Sequence, residues 1–335
     1  MPEFSYLTFP RPGTIIAAAR EAEAAGWDAL GFADTQNLSG DVYSAMALAA
    51  SATDRLILGT GVTNPVTRHP AVTASAIATI QVESQGRAVL GIGRGDSSLG
   101  YIGQAPALVK VFEKYLRDVQ QYLRGDAVDI DGYQSHNNWI AETNQPKVPV
   151  DVAATGPRVI AVAAVHAERI TFAVGANSER IISAIQLART SREKAGLDPQ
   201  DLSFGAYINC TANPDAAKAR RTISGTVGTF AHFTGMSRAN HEGLKDRAIF
   251  EHIGANYDMA NHARISASHL SVVDDDFIER FAVAGPSSYC VDRLGKLLEL
   301  GLDRLVFITF SPDADPIEVA DGNARLAAEV IPQLR

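Results

Sequence analysis

Residues 56–93 read LILGTGVTNPVTRHPAVTASAIATIQVESQGRAVLGIG. The run Leu56 to Gly61 is apolar and of strand length. A polar, turn-rich segment follows, and Pro70 then opens an alanine-rich helical pattern that lasts to Glu83. A second apolar run, Val89 to Gly93, comes directly after it. Strand, loop, helix and strand in this order make a βα repeat, and the rest of the chain either continues that repeat or interrupts it.

Upstream, Phe4 to Phe9 leads to a helix near Thr14 to Ala25, and Ala29 to Ala33 to one near Val42 to Ser51. Downstream, a helix near Leu108 to Leu123 completes the fourth unit. The stretch Gly125 to Lys147 breaks the rhythm, and Val128 and Ile130 before Asp131-Gly132 predict a small hairpin. Val150 to Ala153, Ile170 to Val174 and Phe204 to Cys210 read as the fifth to seventh strands, with helices near Pro157 to His166 and Ser178 to Ala195 between them. Leu305 to Phe310 is the eighth. Between the seventh and eighth, about 213–281, lies a long helical stretch rich in His, Asn and Arg that reads as an insertion over a barrel mouth, after which a helix from Pro286 to Leu300 restores the repeat. Eight units predict an α/β fold, a (β/α)8 TIM barrel formed as a single domain over 1–335 with that helical insertion. A doubly wound open sheet has the same local signature and stays open as the alternative.

With 335 residues and 46% hydrophobic content the chain can bury one large core. A net charge of −8, from 38 acidic and 30 basic residues, gives no basic footprint, so no nucleic-acid partner and no anionic membrane surface is expected. No stretch approaches the roughly 18 apolar residues of a membrane span, and no signal peptide is read at the start, which makes a reducing cytoplasm the default compartment. Cys210 and Cys290 lack ligand or redox spacing and are expected as buried free thiols. His232, His241, His252, His262 and His269 show no metal-like spacing, so no metal is expected and the group reads as surface or interface residues.

In a barrel the chemistry sits on the loops after the strands. That criterion selects Asp34 to Asn37, Gly61 to Asn64, Gly95 to Ser97, Thr155 to Arg158 and Gly175 to Ser178. Thr155-Gly156-Pro157-Arg158 ends a strand and opens a helix, a suitable cradle for a phosphate; ordinary βα punctuation by Gly and Pro accounts for it equally well. Gly91-Ile92-Gly93-Arg94-Gly95-Asp96 is no dinucleotide fingerprint, because it falls at the fourth strand and lacks the third glycine in register. Its glycines let a flat ring pack on backbone, and Asp96 offers a proton-handling carboxylate or, more blandly, a loop cap. Arg68 and His69 read as capping or pairing locally before Pro70.

Taken in order, Thr60-Gly61-Val62-Thr63-Asn64-Pro65, Thr67-Arg68-His69-Pro70, Gly86-Arg87 before Leu90-Gly91-Ile92-Gly93, Gly95-Asp96-Ser97 and Ala154-Thr155-Gly156-Pro157 resemble the luciferase-like superfamily of flavin and coenzyme F420-dependent oxidoreductases, most closely its methylenetetrahydromethanopterin reductase-like branch. The resemblance implies a TIM barrel with an insertion after the seventh strand and a non-prolyl cis peptide at Gly61–Val62. It also implies a tricyclic cofactor, coenzyme F420 or alternatively FMN, lying on that bulge. Carried over residue by residue, Asp34, Gly61, Val62 and Asn64 would lie near the ring, and Gly95, Asp96 and Ser97 along the ring or its side chain. Thr155, Gly156, Pro157, Arg158, Ala176 and Asn177 would meet the phosphate. Asp96 and Asp34 are the candidate catalytic carboxylates.

The resemblance further implies hydride transfer to or from a small-molecule substrate, in a homodimer. Two departures count. Phe4 to Phe9 carries no glutamate, unlike the reductase branch, and Ala33-Asp34-Thr35-Gln36 has Thr where the sugar-phosphate dehydrogenases place His. The alternatives are an FMN-dependent monooxygenase or reductase and, in another class, a non-catalytic flavin-binding barrel.

Overall fold

The computed structural model describes residues 1–241 and 243–335; residue 242, inside the expected insertion, lies outside the described residues. The chain alternates β1 (Glu3–Thr8), α1 (Ile15–Ala24), β2 (Ala29–Phe32), α2 (Val42–Ala50), β3 (Ile57–Thr60), α3 (Pro70–Glu83) and β4 (Ala88–Ile92). A short α4 (Ser97–Gly100) and the long α5 (Val109–Arg124) follow, then the hairpin β5 (Val128–Ile130) and β6 (Tyr133–Ser135). The repeat resumes with β7 (Val150–Ala154), α6 (Pro157–His166), β8 (Arg169–Phe172), α7 (Ser178–Lys194) and β9 (Ser203–Ala212). Next come α8 (Ala216–Gly235), α9 (Arg247–Asn256), α10 (Asp275–Phe281), β10 (Val283–Gly285), α11 (Ser287–Leu298), β11 (Arg304–Ile308) and α12 (Pro316–Arg325).

The strands bond in the order β10-β9-β11-β1-β2-β3-β4-β7-β8, and β8 also pairs with β9. That last pairing closes the ring and decides between the two readings: the fold is a (β/α)8 barrel, not an open sheet. All eight predicted strands are present, with ends shifted by a residue or two. The three-residue β10, which pairs Val283 with Cys210, was not expected from the sequence.

The chain falls into two compact units. One comprises Met1–Tyr6, Ala154–Ala161 and Thr171–Arg335, and the other Leu7–Ala153 and Val162–Ile170. In the second unit α5 shows how the pattern becomes packing. Phe112, Tyr115, Leu116, Val119, Tyr122 and Leu123 recur at helical spacing and are buried, and Gly125, at φ 78°, ends the helix in the left-handed region. The hairpin turn has Asp131 at φ 52° and Gly132 at 88°, the two positive values that match the twist of paired strands. In the first unit Phe4 and Phe307 meet across β1 and β11, ring centroids 6.2 Å apart.

Candidate active site

In the second unit, the ends of β2, β3 and β4 are tied together through backbone. Gly61 N donates to Phe32 O (2.6 Å), Thr60 Oγ1 to Gly91 O (2.6 Å), Thr63 N to Gly91 O (3.0 Å) and Gly93 N to Thr63 O (2.9 Å). The Gly61–Val62 peptide is cis, at the expected position. A Cβ placed on Gly91 would fall on the carbonyl oxygen of Thr60, so these strand ends approach closely only because that side chain is missing. The side chains of neighbouring residues fill the space left by the other glycines of these strand ends as well: Leu7 packs on Gly61, Val62 on Gly91 and Gly93, and Leu99 on Gly95.

Beside it lies a charged cluster. Asp34, 5% exposed, accepts a short hydrogen bond from Arg68 Nη1, while Arg68 Nη2 reaches Asp41 Oδ2 at 3.2 Å. The guanidinium sits 5.0 Å from the Tyr43 ring centroid, and Tyr115 Oη donates to the Arg68 carbonyl at 3.0 Å. Burial opposes the charge on Arg68, but the Asp34 carboxylate outweighs it and holds the guanidinium above its ordinary value. Burial likewise pushes the Tyr115 phenol up to about 12. His69 caps α3 as expected, its Nδ1 accepting from Ala71 N. The ion-pair partners of Arg68 lie on the loop after β2 and at the start of α2, and its Nη1 also donates to Thr63 Oγ1 on its own loop at 3.5 Å.

Asn64 is buried with its carboxamide engaged. Its Oδ1 accepts from Val66 N, Thr67 N and Thr67 Oγ1, and its Nδ2 donates to Ser98 Oγ at 3.2 Å. Its visible work is to hold the turn after β3. Asp96 stands at the N-cap position of α4 and makes no side-chain cap bond to that helix. Ser97 and Gly95 are half-buried beside it.

In the first unit, β7 ends at Ala154 and α6 begins at Pro157. Thr155 is half-buried, Gly156 buried, and Pro157 and Arg158 exposed. A Cβ on Gly156 would run into the Asn240 side chain, whose Nδ2 donates to Phe233 O at 3.2 Å. The neighbouring helix start corrects one expectation. Ala176 N already donates to Phe281 O (2.7 Å) and Ala176 O accepts from Arg293 Nη2 (3.3 Å), so Ala176 brings no open N–H to an anion. Asn177 Oδ1 caps α7 by accepting from Arg180 N at 3.0 Å. Arg180 packs over the Phe250 ring and bonds Val174 O (2.7 Å) and Thr234 Oγ1 (3.1 Å); burial lowers its pKa to about 10.

The luciferase-like monooxygenase family model matches residues 3–304. The chain belongs to the luciferase-like monooxygenase family. It is 27% identical over 293 residues to the 5,10-methylenetetrahydromethanopterin reductase of Methanolobus tindarius, covering 86% of this chain and 87% of that one. It is 31% identical over 318 residues to the F420-dependent glucose-6-phosphate dehydrogenase of Mycolicibacterium fortuitum, covering 88% of each. The solved coenzyme F420-dependent tetrahydromethanopterin reductase of Methanopyrus kandleri superposes with a TM-score of 0.77 at 24% identity, over 100% of this chain and 99% of that one.

Within this luciferase-like chain the sequence singled out residues that follow strands and missed groups lying inside one. Tyr207 and Asn209 belong to the body of β9, both buried. Their only sequence signal is polarity in the otherwise apolar run Phe204 to Cys210. Two of the five histidines read as surface or interface groups, His241 and His269, are buried, while His232, His252 and His262 are part-exposed; His232 and His269 flank the Tyr257 ring at 3.9 and 4.4 Å between centroids. Cys210 and Cys290 are buried free thiols, as expected.

Proposed function

We propose that this chain is an oxidoreductase that uses coenzyme F420 to transfer hydride to or from a small organic substrate. What supports the reading is the Gly61–Val62 cis bulge at the ends of β3 and β4, in a chain whose relatives include enzymes named for F420. When bound, the deazaflavin would supply a two-electron hydride carrier, chemistry that no side chain offers.

The chain's own residues then orient, shield and handle protons. Gly61, Val62 and Asn64 line the ring, with Asn64 acting through the turn it fixes. Gly95 and Ser97 follow the ring's side chain. Asp34, locked by Arg68, keeps a fixed negative edge near the bulge, and Asp96, which caps no helix, is the group assigned to hold or move a proton at its carboxylate. Thr155, Gly156 and Arg158, at the start of the ten-residue α6, would hold the phosphate at a helix N-terminus with one cation beside it. Asn177 keeps α7 in place beside them.

The test is a pair of titrations, coenzyme F420 and FMN, followed by ring fluorescence, on the wild type and on Arg158→Ala. Selective F420 binding weakened by the substitution is expected. Selective FMN binding would move the function to the flavin monooxygenase or reductase class, and binding of neither would leave the non-catalytic barrel.

A further inference from the structure

We propose that Cys210 and Cys290 form a thiol switch: a hydroperoxide joins them as a disulfide that staples α11 to β9, and a reducing dithiol releases it. They are the only two cysteines of the chain, far apart in sequence, and both belong to the first unit. Neither takes part in the hydride transfer proposed above. Among the described residues no group of three His, Cys, Asp or Glu side chains could hold a metal, so the chemistry open to this pair is with each other.

The unexpected strand β10 is what brings them together. Val283 pairs with Cys210, Ala284 with Thr211 and Gly285 with Ala212, so the chain runs beside the end of β9 before Pro286 turns it into α11. Cys290, in the first turn of that helix, thereby comes back onto β9. Its Sγ lies 3.6 Å from Gly285 O and 3.7 Å from Thr211 O, and the Cys210 thiol donates a hydrogen bond to it. Two thiols in hydrogen-bonding contact need only small side-chain rotations to reach bonding distance.

Both thiols are 0% exposed, so an oxidant meets them when the seam between β9 and α11 opens. The sheet provides for such an opening. β10 is three residues long, stands at the end of the strand order and pairs with β9 alone, whereas β9 is also held by β11 and β8. β10 and the start of α11 can therefore lift while the ring of the barrel stays closed. A disulfide formed in the opened state would hold the seam shut.

Burial pushes the Cys210 thiol up, while the hydrogen bond from Cys210 lowers that of Cys290. Cys290 is thus the sulfur that ionises first and attacks. It takes one oxygen of hydrogen peroxide, the O–O bond breaks, and the other oxygen leaves as water, giving a sulfenic acid on Cys290. The Cys210 sulfur then forms the S–S bond and displaces the sulfenic oxygen as a second water. The two thiols give up two electrons and two protons, and these reduce the peroxide. A dithiol reverses the step by exchange.

The test uses the folded chain, purified under dithiothreitol and freed of it, then treated with hydrogen peroxide or with diamide. Remaining thiols are blocked with iodoacetamide, peptides are mapped without reduction, and melting temperature is read before oxidation, after it and after added dithiothreitol. Expected are loss of both thiols together, a Cys210–Cys290 cross-linked peptide within one chain, and a melting temperature raised by about 3–6 °C that dithiothreitol restores. Amide exchange at Val283–Gly285 should slow in the oxidised form. Cys210→Ser and Cys290→Ser should show neither cross-link nor shift, and the alanine variants serve if the serines do not accumulate.

Two thiols still free after oxidation of the folded protein would overturn the proposal, as would a sulfinic acid without a cross-link, or cross-links only between chains. A cross-link that forms no faster than the whole chain unfolds would show that β10 does not lift by itself. A disulfide that lowers the melting temperature would rule out the staple.

Discussion

Replacing Arg68 by Met would strip the charge from the cluster after β3 while keeping an unbranched apolar stem. Asp34, 5% exposed, would lose the guanidinium that meets it, and Asp41 and the Tyr43 ring would lose the same group at 3.2 and 5.0 Å. Breaking one side of a buried pair costs about 3–5 kcal/mol, because the remaining charge is stranded. Arg68 itself is 19% exposed, so some solvent relief is available and the lower end, about 3 kcal/mol, applies. For a chain of 335 residues the unfolding entropy is about 0.7 kcal/mol/K, which makes the expected fall in melting temperature ~4 °C. The double variant Arg68→Met, Asp34→Asn should recover roughly half of that fall, since a neutral amide costs less to bury than an unpaired carboxylate. Calorimetry of the four proteins in the cycle gives the coupling directly. A single-variant loss under about 1 kcal/mol, or a double variant no more stable than Arg68→Met, would refute the view that Arg68 exists to hold Asp34.

Gly91→Ala should destabilise by about 3 kcal/mol or more, since its Cβ would occupy the Thr60 carbonyl oxygen and retreat would break the bonds that Gly91 O accepts. Gly59→Ala, whose Cβ meets only ordinary contacts at 3.7 Å and beyond, is the control, and comparable melting losses in the two would show the close approach to be unimportant. Asp313 accepts from Ile265 N, Ser266 N and Ser266 Oγ, and these bonds outweigh partial burial to lower its pKa. Its folded value is depressed, so its stabilisation is present above the ordinary value of 3.8 and is lost as pH falls through the folded value. Asp313→Ala should therefore melt below wild type at neutral pH, and the gap should close as pH falls below the ordinary value of 3.8 and through the lower folded value; an unchanged gap at acid pH would count against this.

The eight barrel strands were legible because each is a separate apolar run between turn signals, as in Ala88–Ile92, where every residue is buried. The strand Val283–Gly285 was not, because three residues carry no periodicity and it exists only through its register on β9. The same division runs through the site. Position after a strand is local information, and it placed Gly61, Val62 and Asn64 after β3 and Asp96 after β4. Partner choice is not local. Arg68 meets Asp34 across 34 positions of sequence, and Gly156 faces Asn240. Asn209 is the sharpest case, since a single polar residue inside a buried strand leaves the apolar pattern that predicts the strand nearly unchanged. Whether that residue is bonded depends on which neighbours the closed ring brings level with it, and the ring brings it Ile308, which has no side-chain group to offer. A polar side chain buried inside a strand is therefore found by accounting for its hydrogen bonds in three dimensions, not by the apolar pattern that reveals the strand.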